Sequence, residues 1–425
     1  MSDPVASGVG RRAGTDVVAR DDMVAVDAYR ERILADLEPL EPIELRLPDA
    51  LGLVLAEDVV PSESLPPLRS SAIDGYAVVA ADVSEASADQ PVRLRVAGEI
   101  RAVPGVPPKL RPGTALAIMT GAPVPDGADT VVPVEVTRQE GAVVAIFVAP
   151  QPGANIRAAG EDITADTRLI RAGRRLRPGD IAALAALGLA PVRCYPRPRV
   201  VILSTGSDLV ALEQSPSPGT TRDSNGPMLA AQVRQADAVA FWAGIVADDR
   251  RALIDAFDSN LGHADVIVTT GGLRAGAYDH VRDVLAMLGE VHAATVAIEP
   301  GGPHLYGRVR GVPVFGLPGQ PVSGFVSFEV LVRPALRRLQ GRRDLSRPTV
   351  SAQLTEAVVT PPGRRTFLRV RLRQDASGWS ASLTGPQGAH TISSLLAADG
   401  LAEIPEQRTE VPAGTRVTVH LLVEP

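Results

Sequence analysis

The strongest candidates for a binding site in this sequence are three glycine-rich turns, each directly after a short apolar run. They are STGSDLV (204–210), TTGGLRAGAYDH (269–280) and GLPGQPVSGF (316–325). Backbone N–H groups at such turns can hold an anion, and glycine lets a ligand approach the main chain closely. Each turn taken alone also suits a helix cap or a rigid strand-to-helix connection. The functional interpretation therefore depends on which other groups accompany the turns.

Acidic residues accompany these turns without any cluster of cysteine and histidine. Four carboxylates fall at or near loop ends of the same region: Asp208, Asp223, Asp248 and Asp279. Oxygen ligands that leave positions for water suit Mg²⁺ rather than zinc, and Mg²⁺ usually accompanies phosphates. The pattern predicts a phosphorylated ligand, although Asp248 and Asp249 also precede a predicted helix, where acidic residues stabilise the N-terminus.

A fourth stretch, IMTGAPVPDGADTVVPVE (118–135), begins and ends with strand-like apolar residues. Its middle places two glycines, two prolines, two aspartates and a threonine within ten positions. Such a loop is either a turn or part of a site.

Several functional classes are excluded by composition and motif. A formal charge of −6 and a pI near 5.6 argue against a nucleic-acid binder. No GxxxxGK[ST] loop and no G-x-S-x-G elbow occurs, and no run of about 20 apolar residues or signal peptide is present. Cys194 is the only cysteine, which fits a reducing compartment, so we expect a cytoplasmic protein without direct membrane insertion.

Changes in residue composition and hydrophobic periodicity along the chain predict several domains. Residues 1–21 are predicted to be a disordered N-terminal segment. Residues 23–37 are predicted to form an amphipathic helix, with Ala28 among its apolar positions. Residues 61–150 alternate strand-like runs with Gly/Pro clusters, which indicates a β-rich module. The segment GDIAALAALGL (179–189) predicts a helix starting at a Gly-Asp cap. We expect this helix to pack on the first one, which joins 22–60 and 151–196 into one discontinuous linker or dimerisation domain.

The second half predicts two further domains. Residues 197–343 alternate apolar strands with helices, which indicates a mostly parallel sheet covered by helices. Ligands bind such sheets at the carboxyl ends of the strands, where the three glycine-rich turns fall. Residues 344–425 read as short strands and predict a small C-terminal β-domain.

At this point several long motifs occur in order. They are SSAIDGYAV (70–78), the 118–135 loop, GANIRAAGEDI (153–163), STGSDLV, GLPGQPVS and SSLLAADGLAEIPE (393–406). From about residue 23 to the C-terminus, the chain resembles the molybdopterin molybdenumtransferase family, that is, MoeA and the gephyrin E-domain. The resemblance implies a multi-domain fold of α/β plus β type. Its parts would be a central three-layer α/β molybdopterin-binding domain, a β-rich insertion module, a discontinuous helical and extended domain and a C-terminal β-barrel-like domain.

The resemblance also implies an activity and a site. The activity is Mg²⁺-dependent insertion of molybdate into adenylylated molybdopterin with release of AMP, by a homodimer. Catalytic roles are implied for Asp74, Thr120, Asp162, Asp208, Asp248 and Asp279, and Mg²⁺ ligation for Asp208, Asp248 and Asp279. Cofactor binding is implied for Ser204, Thr205, Gly206, Gly271, Gly272, Arg274, Pro318, Pro321 and Arg369.

One departure from the family pattern concerns positive charge. Where the family carries lysines around a K-P-G-K-P stretch, residues 295–303 read TVAIEPGGP, with Thr295, Glu299 and Gly302 at the lysine positions. Lost cations and an added carboxylate would repel a polyanionic ligand unless other residues compensate. The candidates for that compensation are Arg274, His304 and Arg308.

Two hypotheses of different classes therefore stay open. One is the transferase, which the retained carboxylates support. The other is a catalytically weak or inactive gephyrin-like scaffold, which would bind a peptide of a membrane or cell-division partner near the C-terminal β-domain. A third, a MogA-like adenylyltransferase, shares the α/β domain but leaves the other domains unexplained.

Overall fold

A computed structural model describes residues 23–273, 280–376 and 378–423, in two compact units formed by 23–41 with 195–423 and by 42–194. The predicted disordered segment 1–21, Arg274 and Asp279 lie outside the described residues. The α-helices, α1 to α9, are Val26–Ala35, Leu47–Ala50, Pro178–Ala186, Asn225–Gln235, Arg250–Leu261, His280–Leu288, Pro321–Ser327, Arg333–Leu339 and Ser393–Leu396.

Residues 42–194 contain a sheet with an apolar cluster on each face. Strands β1 to β11 are Ile43–Leu45, Val54–Leu55, Ser70–Ser71, Gly75–Val78, Val92–Ile100, Thr114–Ile118, Thr130–Pro133, Thr137–Glu140, Val143–Ile146, Ile156–Arg157 and Val192–Tyr195. Six of them form a sheet in the order β7-β4-β6-β5-β9-β8. Successive residues of β4 point into different apolar clusters, Tyr76 and Val78 into one and Ala77 into the other. The strands predicted between residues 61 and 150 are confirmed.

A smaller core in the same unit lies around a three-stranded sheet with the order β1-β11-β2. Helix α3 contributes Leu184 to it, and Cys194 lies fully buried there. Burial raises the pKa of the Cys194 thiol to about 11, so the thiol stays protonated and packs as a small apolar group. Helix α3 begins at Pro178, one residue before the predicted cap, and Asp180 accepts a hydrogen bond from the Arg177 N–H at 2.8 Å.

The second unit contains the predicted α/β sheet. Strands β12 to β20 are Arg199–Thr205, Leu209–Val210, Thr221–Arg222, Val239–Val246, Val266–Thr270, Gly289–Thr295, Ile298–Glu299, Pro303–Val309 and Val312–Leu317. The sheet order is β15-β12-β16-β20-β19-β17, with the first four strands parallel and the last two joined antiparallel. Alternate residues of β12 enter two apolar clusters, which contain helices on opposite faces, so this domain has the three expected layers.

The first helix packs in this unit, and the prediction that α3 packs on α1 is wrong. Val26, Tyr29 and Ile33 of α1 lie fully or almost fully buried in the cluster that contains α4, α7 and α8. Leu184 of α3 belongs to the separate core of residues 42–194. The buried stripe of α1 follows the spacing i, i+3, i+7, which leaves the predicted apolar position Ala28 exposed.

The C-terminal strands close into a barrel. Strands β21 to β27 are Thr349–Leu354, Val358–Val359, Arg365–Asp375, Gly378–Leu383, Gly400–Ile404, Glu410–Val411 and Arg416–Leu421. The order β23-β24-β21-β27-β25 closes because β25 also pairs with β23. This confirms the β-barrel-like domain. None of the helices in the described part of the chain is long and apolar enough to cross a membrane.

Substitution of Phe257 in α5 tests the packing of the core that the sheet forms with α5 and α6. Its ring is fully buried among residues of the α5 and α6 layer, whereas Phe241 on β15 is 44% exposed. We expect Phe257→Ala to destabilise this unit by about 3–5 kcal/mol and Phe241→Ala by less than about 1 kcal/mol. Urea unfolding followed by circular dichroism measures both. Equal midpoints for the two variants would contradict the described packing.

Candidate active-site cleft

The carboxyl ends of three neighbouring parallel strands, β12, β16 and β20, meet at one edge of the sheet. The turns that follow them line a cleft of about 470 Å³, which we call the active-site cleft. Its lining residues are Thr205, Gly206, Asp208, Leu209, Thr221, Asn225, Asp248, Thr270, Gly271, Gly272, Leu273, Gly301, Gly302, Pro303, Pro318, Gly319 and Gln320. The predicted convergence of the three glycine-rich turns is therefore present.

Two glycines in the turn after β16 are required by geometry. Gly271 has φ +96°, and a Cβ there would lie 2.3 Å from the carbonyl oxygen of Thr205. Gly272 has φ +63°, and its Cβ would lie 2.5 Å from Cγ2 of Val281. A side chain at either position would be strained and would collide, so the close packing of this turn requires glycine.

A side-chain network ties the turns together. Asn225 Nδ2 donates to Thr270 Oγ1 at 2.9 Å and to the carbonyl oxygen of Gly319 at 2.8 Å. Thr270 Oγ1 donates in turn to the carbonyl oxygen of Pro318 at 3.2 Å. Asn225 and Thr270 were not singled out from the sequence. The signal that could have found Asn225 is an amide residue at the start of a helix, next to glycine and proline, between two glycine-rich turns.

The predicted carboxylates divide into two groups. Asp208 and Asp248 line the active-site cleft. Asp249 caps α5 by accepting hydrogen bonds from the N–H groups of Arg251 and Ala252. Asp223 accepts from the Gly226 N–H at 2.9 Å and is not part of the lining. Helix capping is thus the role of Asp249 and Asp223, while the other two carboxylates face the cleft.

The charge of the described cleft lining is negative. It contains Asp208 and Asp248 and no lysine, arginine or histidine. Within residues 23–273, 280–376 and 378–423, no group of three or more histidine, cysteine, aspartate or glutamate residues could hold a metal ion. Two carboxylates nevertheless fit Mg²⁺, because this ion keeps several waters and binds ligand phosphates as well.

The lysine-replacing positions have different surroundings. Gly302 lines the cleft, and Thr295 ends β17. Glu299 accepts a hydrogen bond from Arg364 Nη1 at 3.2 Å. This ion pair offsets the charge of the added carboxylate, and Arg364 is not among the three candidates named from the sequence.

Two of those expected compensators are otherwise engaged. His304 is 1% exposed and shares a 2.8 Å hydrogen bond with Ser327 Oγ. Burial lowers its pKa to about 4, so the ring is neutral at neutral pH. Arg308 Nε donates to Asp36 at 2.9 Å. Neither of these two candidates is in the described lining of the active-site cleft.

Three predicted cofactor-binding residues lie outside the cleft lining. Ser204 is fully buried near the end of β12, and Pro321 begins α7. Arg369 is fully buried in the barrel strand β23, where its Nε donates to Ser394 Oγ at 3.1 Å. The cofactor role of these residues stays a prediction, and that of Thr205, Gly206, Gly271, Gly272 and Pro318 agrees with their position in the lining.

The predicted residues of the other unit form two local arrangements. The main-chain N–H and the hydroxyl of Thr120 both donate to Asp74 Oδ1, at 2.7 and 2.8 Å. These hydrogen bonds hold the pKa of Asp74 below its usual range, so this exposed carboxylate stays charged. Asp162 lines a separate cavity of about 540 Å³ with Arg157 and Glu161.

Removing the Asn225 amide tests the network between the turns. Asn225→Ala leaves the buried hydroxyl of Thr270 and carbonyl of Gly319 with fewer partners, so we expect a loss of about 1–3 kcal/mol in unfolding free energy. Gln214→Ala, at an exposed position of the same unit, is the control and should change little. Urea unfolding gives the energies. Faster hydrogen exchange in residues 266–273 of the variant would confirm the loosening, and wild-type exchange there would refute it.

The buried His304 predicts a pH dependence. Its pKa falls from 6.5 to about 4 on folding, because burial disfavours the charged ring. The unfolded chain therefore binds more protons between these values, and stability falls as the pH is lowered from about 6.5 to about 4. We expect His304→Gln to flatten this part of the melting-temperature profile. His263→Gln, at an exposed position, should leave the wild-type slope unchanged; a steep profile in His304→Gln would assign the effect to other groups.

Comparison with known families covers most of the chain. Residues 24–188 match the MoeA N-terminal region, domains I and II. Residues 201–338 match a probable molybdopterin binding domain, and residues 351–422 match the MoeA C-terminal region, domain IV.

Relatives of known name agree with these matches. Molybdopterin molybdenumtransferase 2 of Mycobacterium tuberculosis is 42% identical over 92% of this chain and 97% of its own length. Molybdopterin molybdenumtransferase of Haemophilus influenzae is 32% identical over 94% of this chain and 100% of its own. The crystal structure of the molybdopterin biosynthesis MoeA protein from Pyrococcus horikoshii has a TM-score of 0.83 at 32% identity, and covers 95% of this chain and 100% of that one. The chain belongs to the MoeA family of molybdopterin molybdenumtransferases.

Proposed function

We propose that this enzyme inserts molybdate into adenylylated molybdopterin, with Mg²⁺ and with release of AMP. The observation that carries the proposal is the joint position of Asp208 and Asp248 beside three glycine-rich turns at the carboxyl ends of parallel strands. Such a position suits a phosphorylated ligand. The names of relatives at 32–42% identity place the chain among enzymes and do not favour the scaffold hypothesis.

The described residues support binding of the nucleotide-phosphate end of the substrate. Gly271 and Gly272 both line the cleft, and the N–H of Gly271 is engaged with the carbonyl oxygen of Leu317 at 3.1 Å. The N–H of Gly272 would donate a hydrogen bond to a phosphate oxygen. Asp208 and Asp248 would hold Mg²⁺, which supplies positive charge against the phosphates when bound. Water cleaves the adenylyl linkage and AMP leaves. The two dithiolene sulfurs would bind the molybdenum of molybdate, and one molybdate oxygen would leave as water with the two thiol protons.

We further propose that a homodimer completes the site. Asp74, Thr120 and Asp162 belong to the unit of residues 42–194, and the cleft carboxylates belong to the other. By family resemblance, the first group would face the active-site cleft of the partner subunit. The hydrogen bonds from Thr120 support this role, because they keep Asp74 charged and oriented in an exposed position.

Neighbouring aspartates provide a matched test of the cleft. Asp248→Asn removes a cleft carboxylate, whereas Asp249→Asn preserves a helix cap outside the lining. We expect Mg²⁺- and molybdate-dependent release of AMP to fall about 100-fold or more in Asp248→Asn and to stay within about twofold in Asp249→Asn. Quantifying AMP by chromatography measures this. Full activity of Asp248→Asn, or no AMP from the wild type, would refute the proposal.

Mixed dimers test the shared site. Asp162→Asn and Asp248→Asn homodimers should each be inactive, and subunit exchange at equal amounts should restore about a quarter of wild-type activity, because half of the dimers then have one intact site of two. The control mixture combines Asp248→Asn with Asp208→Asn, which breaks the same cleft in either chain and should restore nothing. A lack of restoration in the first mixture would place the whole site within one chain.

A further inference from the structure

A second cleft in the unit of residues 195–423 is lined by arginines and serves no step proposed above. Its volume is about 570 Å³, and Arg333, Arg337, Arg342 and Arg347 lie in its lining. We call it the arginine cleft. It has no lining residue in common with the active-site cleft.

Positive charge exceeds negative charge around the arginine cleft. Among the described residues, Asp344 is the only carboxylate in the lining, and it pairs with Arg342 at 2.7 Å and with Arg337 at 3.6 Å. Behind the lining, Glu329 pairs with Arg347 at 2.6 Å and lies 3.9 Å from Arg333. Asp237 pairs with Arg342 at 2.9 Å. Counted over the residues that the structure describes, four guanidinium groups thus lie near three carboxylates, which leaves one positive charge in excess.

Two of these arginines have buried donors without an acceptor among the described residues. Arg333 is 4% exposed, and only its Nη2 makes a hydrogen bond, to the carbonyl oxygen of Gln235 at 3.2 Å. Its Nε and Nη1 have no hydrogen-bond partner. Arg337 donates through Nη1 to the carbonyl oxygens of Asp344 and Ser346, and its Nε has no partner. Buried cationic donors without acceptors are costly. These three nitrogen atoms are themselves buried, so an anion in the cleft would offset their charge by electrostatic attraction and not by a direct hydrogen bond.

The electrostatic state of Arg337 points in the same direction. Burial and the neighbouring guanidinium groups of Arg342 and Arg333 lower its pKa to about 10. At neutral pH the group is still charged, so the fold holds like charges together against repulsion and desolvation. Buried ionic groups of this kind are weak stabilisers compared with apolar residues. Their arrangement beside an open cleft is better explained by a ligand than by stability.

We propose that the arginine cleft binds a small phosphate ester. Guanidinium groups present paired donors that match the oxygens of a phosphate. Pro348, Leu421 and Val423 also line the cleft and offer apolar contact to the remainder of the ester. The volume exceeds what a bare phosphate needs. The proposed site lies beyond the proposed transferase reaction and does not depend on it.

Binding of simple probes tests the proposal on the full-length protein. Calorimetry with inorganic phosphate and with phenyl phosphate should give one site per chain in addition to any in the active-site cleft, with phenyl phosphate several-fold tighter because of its apolar ring. Molybdate, another tetrahedral dianion, is the competing source of this chemistry. Molybdate that displaces phenyl phosphate more effectively than inorganic phosphate does would overturn the assignment to phosphate esters.

Matched variants locate the binding. Arg337→Gln should weaken phenyl phosphate binding about 10-fold or more, which corresponds to the loss of a charge-assisted hydrogen bond. Arg343→Gln, an exposed arginine outside the lining, should leave it unchanged. Asp344→Asn removes a carboxylate from the lining and should tighten binding several-fold, which does not depend on whether Arg337→Gln folds.

Two results would overturn the proposal. One is the absence of heat at millimolar phenyl phosphate, or an affinity that Asp344→Asn leaves unchanged. The other is binding that Asp248→Asn abolishes while Arg337→Gln preserves it, because the ligand would then occupy the active-site cleft. The activity of the transferase is not part of this readout, so a failure of the proposed reaction and a failure of this site are distinguishable.

Discussion

Parallel pairing of β12, β16 and β20 is the constraint on which the active-site cleft depends. Parallel strands all end at the same edge, so three turns that are far apart in the sequence become neighbours. The network of Asn225 and Thr270 then connects the turns after β16 and β20. Gly271 and Gly272 let the turn after β16 pack closely against Thr205 and Val281, where a Cβ would collide. Sheet topology supplies the proximity, and these local groups supply the shape.

Electrostatics distinguishes the two clefts of this unit. The described lining of the active-site cleft has only acidic side chains with charge, so an anionic ligand there requires a cation. Arg364 offsets Glu299 by an ion pair but does not line that cleft. The arginine cleft has the opposite balance, with guanidinium groups in excess. The two clefts would therefore bind anionic ligands in different ways, the active-site cleft through a metal ion and the arginine cleft through guanidinium groups.

Much of this architecture could be predicted from the sequence, because strands and glycine-rich turns are local patterns. The three strands before the turns and the short strands of the C-terminal domain follow from these patterns, and the closed barrel follows from the family resemblance. Partner choice between distant elements could not be predicted in this way. Helix α1 carries an apolar stripe that would fit many surfaces, and periodicity does not show which one receives it. The engagement of Arg308 with Asp36 depends on the same long-range packing.

That packing of α1 also affects the order in which the chain can fold during synthesis. Helix α1 spans Val26–Ala35, and it packs against α8, Arg333–Leu339, which is made about 300 residues later. At ribosomal rates of roughly 5–20 residues per second, the helix waits for tens of seconds before its binding surface exists. Residues 42–194 form a unit with its own cores and can fold in that interval. Helix α1 is thus made well before the surface that receives it, and its apolar stripe must be kept from other partners meanwhile.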